Sequence, residues 1–205
     1  WRTVRCMTAT HSCQEKTMPL PFEPSDALLL VDVQVDFCPG GSLPIPQGDT
    51  VVPVLNRWLE AAATTGIAVV ASRDWHPPHH VSFEPQGGPW PVHCVQHTPG
   101  AAFHPDLALP NHTIVISKAE TESQEAYSAF DGTGLAQRLR DAGIRRLWVG
   151  GLAEDVCVKA TVLEALREGF EVRLIEGGMK PVTESGGQQA RELMFQAGAQ
   201  PGTLG

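Results

Sequence analysis

The sequence predicts an α/β protein, a three-layer αβα sandwich around a mostly parallel central sheet of five to six strands. Three observations predict it. Short apolar runs alternate with amphipathic stretches from Asp26 onward. The runs are continuous rather than alternating, as in strands buried on both faces. The turns between elements are mostly short, so helices must carry the chain back over the sheet.

Ala27–Val31 reads as the first strand. Val51–Ala63 reads as a helix, with Val51, Val54, Leu55, Trp58, Leu59 and Ala62 on one face at helical spacing. Gly66 ends it, and Ile67–Ala71 is the second strand. A loop rich in Pro, Gly and His runs from Arg73 to Pro110, a length that normally signals function. Thr113–Ser117 is the third strand, Leu135–Ala142 a helix and Arg146–Gly150 the fourth strand. Val156–Glu168 is a helix stopped by Gly169. Glu171–Ile175 is the fifth strand and Glu184–Ala197 the last helix. The tail Gln200–Gly205 is too polar and too rich in Gly and Pro to count firmly as a sixth strand.

At 205 residues the chain suits one domain, read as residues 26–205. Residues 1–25 read as an N-terminal extension, with Met18 a candidate start and the residues before it an appendage or a short tail. The net charge of −8 argues against nucleic acid and against an anionic membrane surface. No apolar run reaches the ~20 residues that a membrane span needs. Trp1 to Ser25 has no secretory apolar core. The five cysteines, Cys6, Cys13, Cys38, Cys94 and Cys157, are odd in number and hold no C-x-x-C pair. That pattern fits a reducing cytoplasm better than a disulfide framework. A homo-oligomer is compatible with the sequence but not specified by it.

In parallel sheets, ligands bind beyond the carboxyl ends of the strands. Those ends carry Asp32, Asp74, Lys118 and the segment from Gly150 to Cys157. Cys157 opens a helix, where the macrodipole and free N–H groups lower a thiol pKa and can hold an oxyanion. The plainer alternative is a buried structural cysteine. Asp32 directly follows an apolar strand, and desolvation raises a carboxyl toward a general-base pKa. Lys118 at a neighbouring tip can offset two anions.

Six of the eight histidines lie between His76 and His104. Asp74-x-His76, with His93 returning across the loop, offers two imidazoles and a carboxylate with open positions, as a catalytic divalent metal requires. His80 is a candidate fourth group, and His79, His97 and His104 read as ordinary loop residues. Phe37, Trp90 and Tyr127 could sandwich a flat ring or plug the core. Nucleotide, G-x-S-x-G and H-E-x-x-H signatures are missing.

Several segments then resemble one family. They are Val31-Asp32-Val33-Gln34-Val35-Asp36-Phe37, Arg73-Asp74-Trp75-His76-Pro77, Trp90-Pro91-Val92-His93-Cys94, Tyr127-Ser128-Ala129-Phe130 and Gly150-Gly151-Leu152-Ala153-Glu154-Asp155-Val156-Cys157-Val158. Together they resemble the nicotinamidase/pyrazinamidase branch of the isochorismatase-like cysteine hydrolases, from Asp26 to Ala197. The resemblance implies the isochorismatase-like fold and hydrolysis of nicotinamide to nicotinate and ammonia, with pyrazinamide as a further substrate. It implies Asp32, Lys118 and Cys157 as the catalytic set, and the backbone N–H groups of Ala153 and Cys157 as the oxyanion hole. It implies Asp74, His76 and His93 as ligands of one divalent ion, Zn²⁺ first, with Fe²⁺ or Mn²⁺ as alternatives. His80 stays outside the implied metal set, and Leu152–Ala153 falls where the family has a cis peptide. Phe37, Trp90 and Tyr127 would pack around the substrate ring. Glu154 and Val156 depart from the usual Thr and aromatic residue, and Glu154 is expected to add an anion near the nucleophile. The alternatives are a metal-free relative acting on another amide, ureido acid or isochorismate, and a non-catalytic metal-binding module.

Overall fold

The computed structural model describes residues 20–204. Six strands form one parallel sheet in the order β3-β2-β1-β4-β5-β6. They are β1 (Asp26–Val31), β2 (Ala68–Asp74), β3 (Ile114–Lys118), β4 (Arg146–Leu152), β5 (Glu171–Lys180) and β6 (Gln200–Gly202). The helices are α1 (Val51–Thr65), α2 (Leu135–Asp141), α3 (Lys159–Arg167) and α4 (Glu184–Gln196).

The three layers follow from the two-residue period of a strand. Ala27, Leu29 and Val31 of β1 face a core shared with α2, α3 and α4. Leu28 and Leu30 face the opposite core, where α1 packs with Val51, Leu55, Trp58 and Leu59. Both faces are covered, so every β1 side chain is buried. That is why the strand reads as an unbroken apolar run.

The chain crosses from β1 to β2 on one side and from β4 to β5 on the other. The order therefore reverses between β1 and β4, and a crevice opens beyond their carboxyl ends. The long segment after β2 has no covering helix, but it is not structureless. Short bridges pair His76 with Val95, Phe83 with Trp90 and Gln34 with Phe103, and fold it over the tips of β1 and β2.

Three details go beyond the sequence expectations. β5 continues past Ile175 to Lys180, with a register shift against β4 between Val149 and Gly151. Gly178 permits it, because a Cβ there would lie 2.6 Å from an Ile175 methyl. A sixth strand exists and pairs with Arg173–Ile175 of β5, too short to leave a pattern. Of the expected N-terminal extension, residues 1–19, with Cys6, Cys13 and Met18, lie outside the described residues. Its last part packs on the fold: the Phe22 ring sits 5.7 Å from Trp58 and 5.4 Å from Trp148. No helix among the described residues is long and apolar enough to cross a membrane.

Gly151 lets β4 pass close to β1 at the crevice. Its φ is +133°, and a Cβ would lie 2.0 Å from the Val31 carbonyl oxygen. Gly151→Ala should lower stability by about 2–4 kcal/mol through strain and overlap. Urea unfolding checks this, and an unchanged midpoint would show that the backbone yields freely there.

Candidate active site

Four adjacent strands deliver one candidate group each. Asp32 follows β1, Asp74 ends β2, Lys118 ends β3, and Cys157 lies in a π-type turn, Glu154–Val158, just after β4. Pairing of Asp74 with Lys118 at the tips of β2 and β3 brings their side chains together. All four residues are buried.

Lys118 is the centre of the group. Its Nζ lies 2.9 Å from Asp32 Oδ2 and donates to Asp74 Oδ1. It also donates to the Ala126 carbonyl at 3.2 Å and to Cys157 Sγ at 3.5 Å. Burial works against the ammonium, but Asp32 and Asp74 outweigh it and hold the pKa well above the ordinary lysine value. The same balance keeps Asp74 ionised: burial opposes its charge, and Lys118 followed by the two histidines overcomes it, so its pKa falls below the usual carboxylate value.

Asp32 differs. Burial pushes its pKa up to about 6, and Lys118 only partly opposes this. Ser72 Oγ donates to Oδ1 at 2.7 Å. Oδ2 faces Lys118 as an ion pair but receives no well-directed hydrogen bond among the described residues. An acceptor site is thus left toward the thiol, since carboxylate oxygens of Asp32 and Asp74 and the Cys157 sulfur all lie within 4.8 Å of one another.

For Cys157 the helix-terminus expectation is overturned in direction. Burial raises its pKa well above the ordinary thiol value, Lys118 only partly opposes that, and Asp32 and Asp74 add to it. Desolvation and two anions outweigh the Lys118 cation, so a base beside the thiol would be needed to make it a nucleophile.

The bond between Leu152 and Ala153 is cis, as the resemblance implies. The Ala153 carbonyl accepts from the Val156 and Val158 N–H groups. Glu154 is buried, but its carboxylate pairs with Arg191 of α4 at 3.1 Å. Its anion is therefore engaged on the α4 side rather than free beside the sulfur. Neighbouring Asp155 accepts from the Val182 and Thr183 N–H groups and ties the nucleophile turn to the entry of α4.

Asp74, His76 and His93 converge, with ligating atoms within 4.8 Å of one another. His76 Nε2 is 4.0 Å from Asp74 Oδ1 and His93 Nε2 is 3.8 Å from Asp74 Oδ2. His76 Nδ1 bonds the His93 carbonyl at 3.1 Å, and His93 Nδ1 bonds the Pro91 carbonyl at 2.7 Å. A carbonyl only accepts, so both rings carry hydrogen on Nδ1 and turn Nε2 toward the carboxylate. Burial lowers the His76 pKa to about 4, which keeps the ring neutral at pH 7. Two imidazole nitrogens and a carboxylate in this setting fit a divalent metal.

His80 does not join them, although its ring lies 4.4 Å from that of His76. Its Nε2–H donates to the Gln124 carbonyl at 3.0 Å, and its Nδ1 accepts from Ser82 Oγ at 2.7 Å. Neither nitrogen has a free lone pair. His79 and His97 are exposed, and His104 accepts from the Asp106 N–H at 3.2 Å.

Phe37, Trp90 and Tyr127 line one cleft with Cys157, Ala153, Asp74, His76 and His93. Trp90 Nε1 donates to the Tyr127 hydroxyl at 3.1 Å, fixing the two rings together. The sequence reading missed Ser72, Gln34 and Asp36, all buried and all bonded to this site. Their signal is a polar residue every second position after an apolar strand.

Residues 26–204 match the Isochorismatase domain family. The chain belongs to that family. The nicotinamidase of Escherichia coli (strain K12) is 41% identical over 197 residues, covering 86% of this chain and 92% of the relative. The crystal structure of the pyrazinamidase of Pyrococcus horikoshii in complex with zinc superposes with a TM-score of 0.86 at 45% identity, covering 88% of this chain and 99% of that one. PnC1 from L. infantum, solved in complex with nicotinate, gives a TM-score of 0.79 at 36% identity, covering 88% and 93%. These relatives place this isochorismatase-family chain in the nicotinamidase/pyrazinamidase branch, among hydrolases that act on an amide bond.

The Asp32–Cys157 pair dictates a pH signature. Below about pH 6 Asp32 is protonated and cannot take the thiol proton. Alkylation of Cys157, followed by peptide mapping, should rise about tenfold per pH unit up to that point and then level. A climb continuing to about pH 9, as for a thiol titrating without a base, would contradict the pairing.

Proposed function

We propose that this protein hydrolyses nicotinamide to nicotinate and ammonia, and pyrazinamide likewise, through a thioester on Cys157. One observation carries the reading. The Cys157 thiol and a metal-type ligand set open together onto a cleft walled by Phe37, Trp90 and Tyr127, with the Asp32 carboxylate buried behind the sulfur and within 4.8 Å of it. A flat heteroaromatic amide matches that combination of ring wall, ligand set and nucleophile.

Asp32 takes the Cys157 proton, and Lys118, 3.5 Å from the sulfur, balances the thiolate charge that results. The thiolate attacks the carboxamide carbon. The N–H groups of Ala153 and Cys157 hold the developing oxyanion, a role supported by the place of both residues on the cleft wall. Protonated Asp32 then returns its proton to the departing nitrogen, which leaves as ammonia. Asp32 next takes a proton from water as it attacks the thioester carbonyl; the C–S bond then breaks, the departing sulfur takes that proton back from Asp32, and the acid leaves as nicotinate, its proton lost to solvent. Phe37, Trp90 and Tyr127 hold the ring throughout and keep bulk water from the sulfur.

Asp74, His76 and His93 would hold the divalent ion, Zn²⁺ before Fe²⁺ or Mn²⁺. Such an ion supplies a Lewis-acid contact for a pyridine nitrogen. Lys118 touches Asp74 and Asp32 at once, so the ligand set and the base are anchored to one side chain.

Ammonia release from nicotinamide tests the reading, before and after chelation and on return of the metal. Wild-type protein should release ammonia, lose the activity on chelation and regain it with Zn²⁺. Cys157→Ala should keep its metal and lose turnover at least about 10³-fold. Undiminished ammonia release by that variant would refute the thioester route.

A further inference from the structure

We propose that Asp36 is a positioning residue of the metal centre, acting on His76 through the peptide bond between His93 and Cys94. The inference rests on the ligand set proposed above. It begins with a buried carboxylate that the mechanism does not use. Asp36 Oδ2 accepts the Cys94 N–H at 2.7 Å, and Oδ1 accepts the Ser42 N–H at 3.1 Å. The other end of that same peptide, the His93 carbonyl, bonds His76 Nδ1 at 3.1 Å. The chain of contacts runs from carboxylate to N–H, across one amide, and from its oxygen to an imidazole N–H.

An anion on the N–H side of an amide draws electron density onto its oxygen. The oxygen becomes a stronger acceptor, which fixes hydrogen on Nδ1 of His76 and makes Nε2 more basic. Metal-binding histidines commonly receive such support from a carboxylate placed directly on the ring. Here the carboxylate stands one peptide away, and it restrains two ligands at once because the bridging amide belongs to His93.

The surroundings are built for this contact. Asp36 is 7% exposed. Gly100 packs on its carboxylate so closely that a Cβ there would lie 2.2 Å from Oδ2. Cys94 adopts φ 46°, a bend that turns its N–H toward Asp36. The same segment also grips the third ligand. The Gln34 amide donates to the Asp74 carbonyl and accepts the Asp74 N–H, each at 2.8 Å.

The test compares the full-length wild-type chain with Asp36→Asn and Gly100→Ala. The first removes the charge at constant shape. The second keeps the charge but displaces it. Zn²⁺ affinity is read by chelator competition, and ligand geometry by the visible bands of bound Co²⁺. Both variants should bind Zn²⁺ roughly 10–100-fold more weakly, with altered Co²⁺ bands. His76→Ala serves as the loss-of-ligand control.

Affinity within about twofold of wild type in either folded variant, with unchanged Co²⁺ bands, would overturn the inference while leaving the ligand set intact. Failure of both variants to fold would also overturn it, because Asp36 would then hold the fold rather than the ligands. A wild-type chain that takes up neither ion would refute the ligand set itself, and this inference with it.

Discussion

One buried ammonium organises the catalytic end of this protein. Lys118 sits at the tip of β3 with its charge removed from water, between Asp32 and Asp74. Two carboxylates this deep would repel and protonate without it, and the lysine would lose its proton without them. Parallel pairing of β1, β2 and β3 is what sets the three tips side by side. The chemistry therefore depends on strand register. A slip of one residue would turn Lys118 to the other face of the sheet and leave buried charges alone.

The two carboxylates receive unequal treatment, and the difference is in line with the roles proposed for them. Asp74 faces Lys118 and two imidazoles, and its pKa is lowered. It stays an anion, as a metal ligand must. Asp32 has the lysine on one side and burial on all others, and its pKa rises to about 6. That value suits a group that must take a proton and give it back near neutrality. The high thiol pKa of Cys157 complements it. In the proposed mechanism the resting thiol in its dry pocket is protected from oxidation and becomes nucleophilic when Asp32 accepts its proton.

Much of this was legible in the sequence, for physical reasons that can be named. β1 is buried on both faces, so Ala27–Val31 reads as a strand and Asp32 marks its end. The rule that ligands gather at carboxyl ends then selects Asp74, Lys118 and Cys157. The Asp74-x-His76 spacing marks His76 as a candidate, whereas His93 is separated from the other clustered histidines only by the resemblance of the Trp90–Cys94 segment. His80 was harder to judge, since only the Ser82 and Gln124 contacts reveal that both its nitrogens are in use. β6 left no pattern because three residues on a sheet edge need none. The direction of the Cys157 shift was misread because position at a helix start says nothing about burial. Gln34 and Asp36 were visible as residues but not as parts of the site, because their partners lie 40 and 58 positions away.

The claim that Lys118 sets the protonation of the nucleophile pair can be measured directly. Lys118→Met removes the cation and keeps most of the side-chain volume. The account predicts that the inflection in the pH dependence of Cys157 alkylation, near 6 in the wild type, moves up by about one unit or more. An inflection that stays where it was would contradict it, and would mean that Asp32 is held by something other than the buried ammonium.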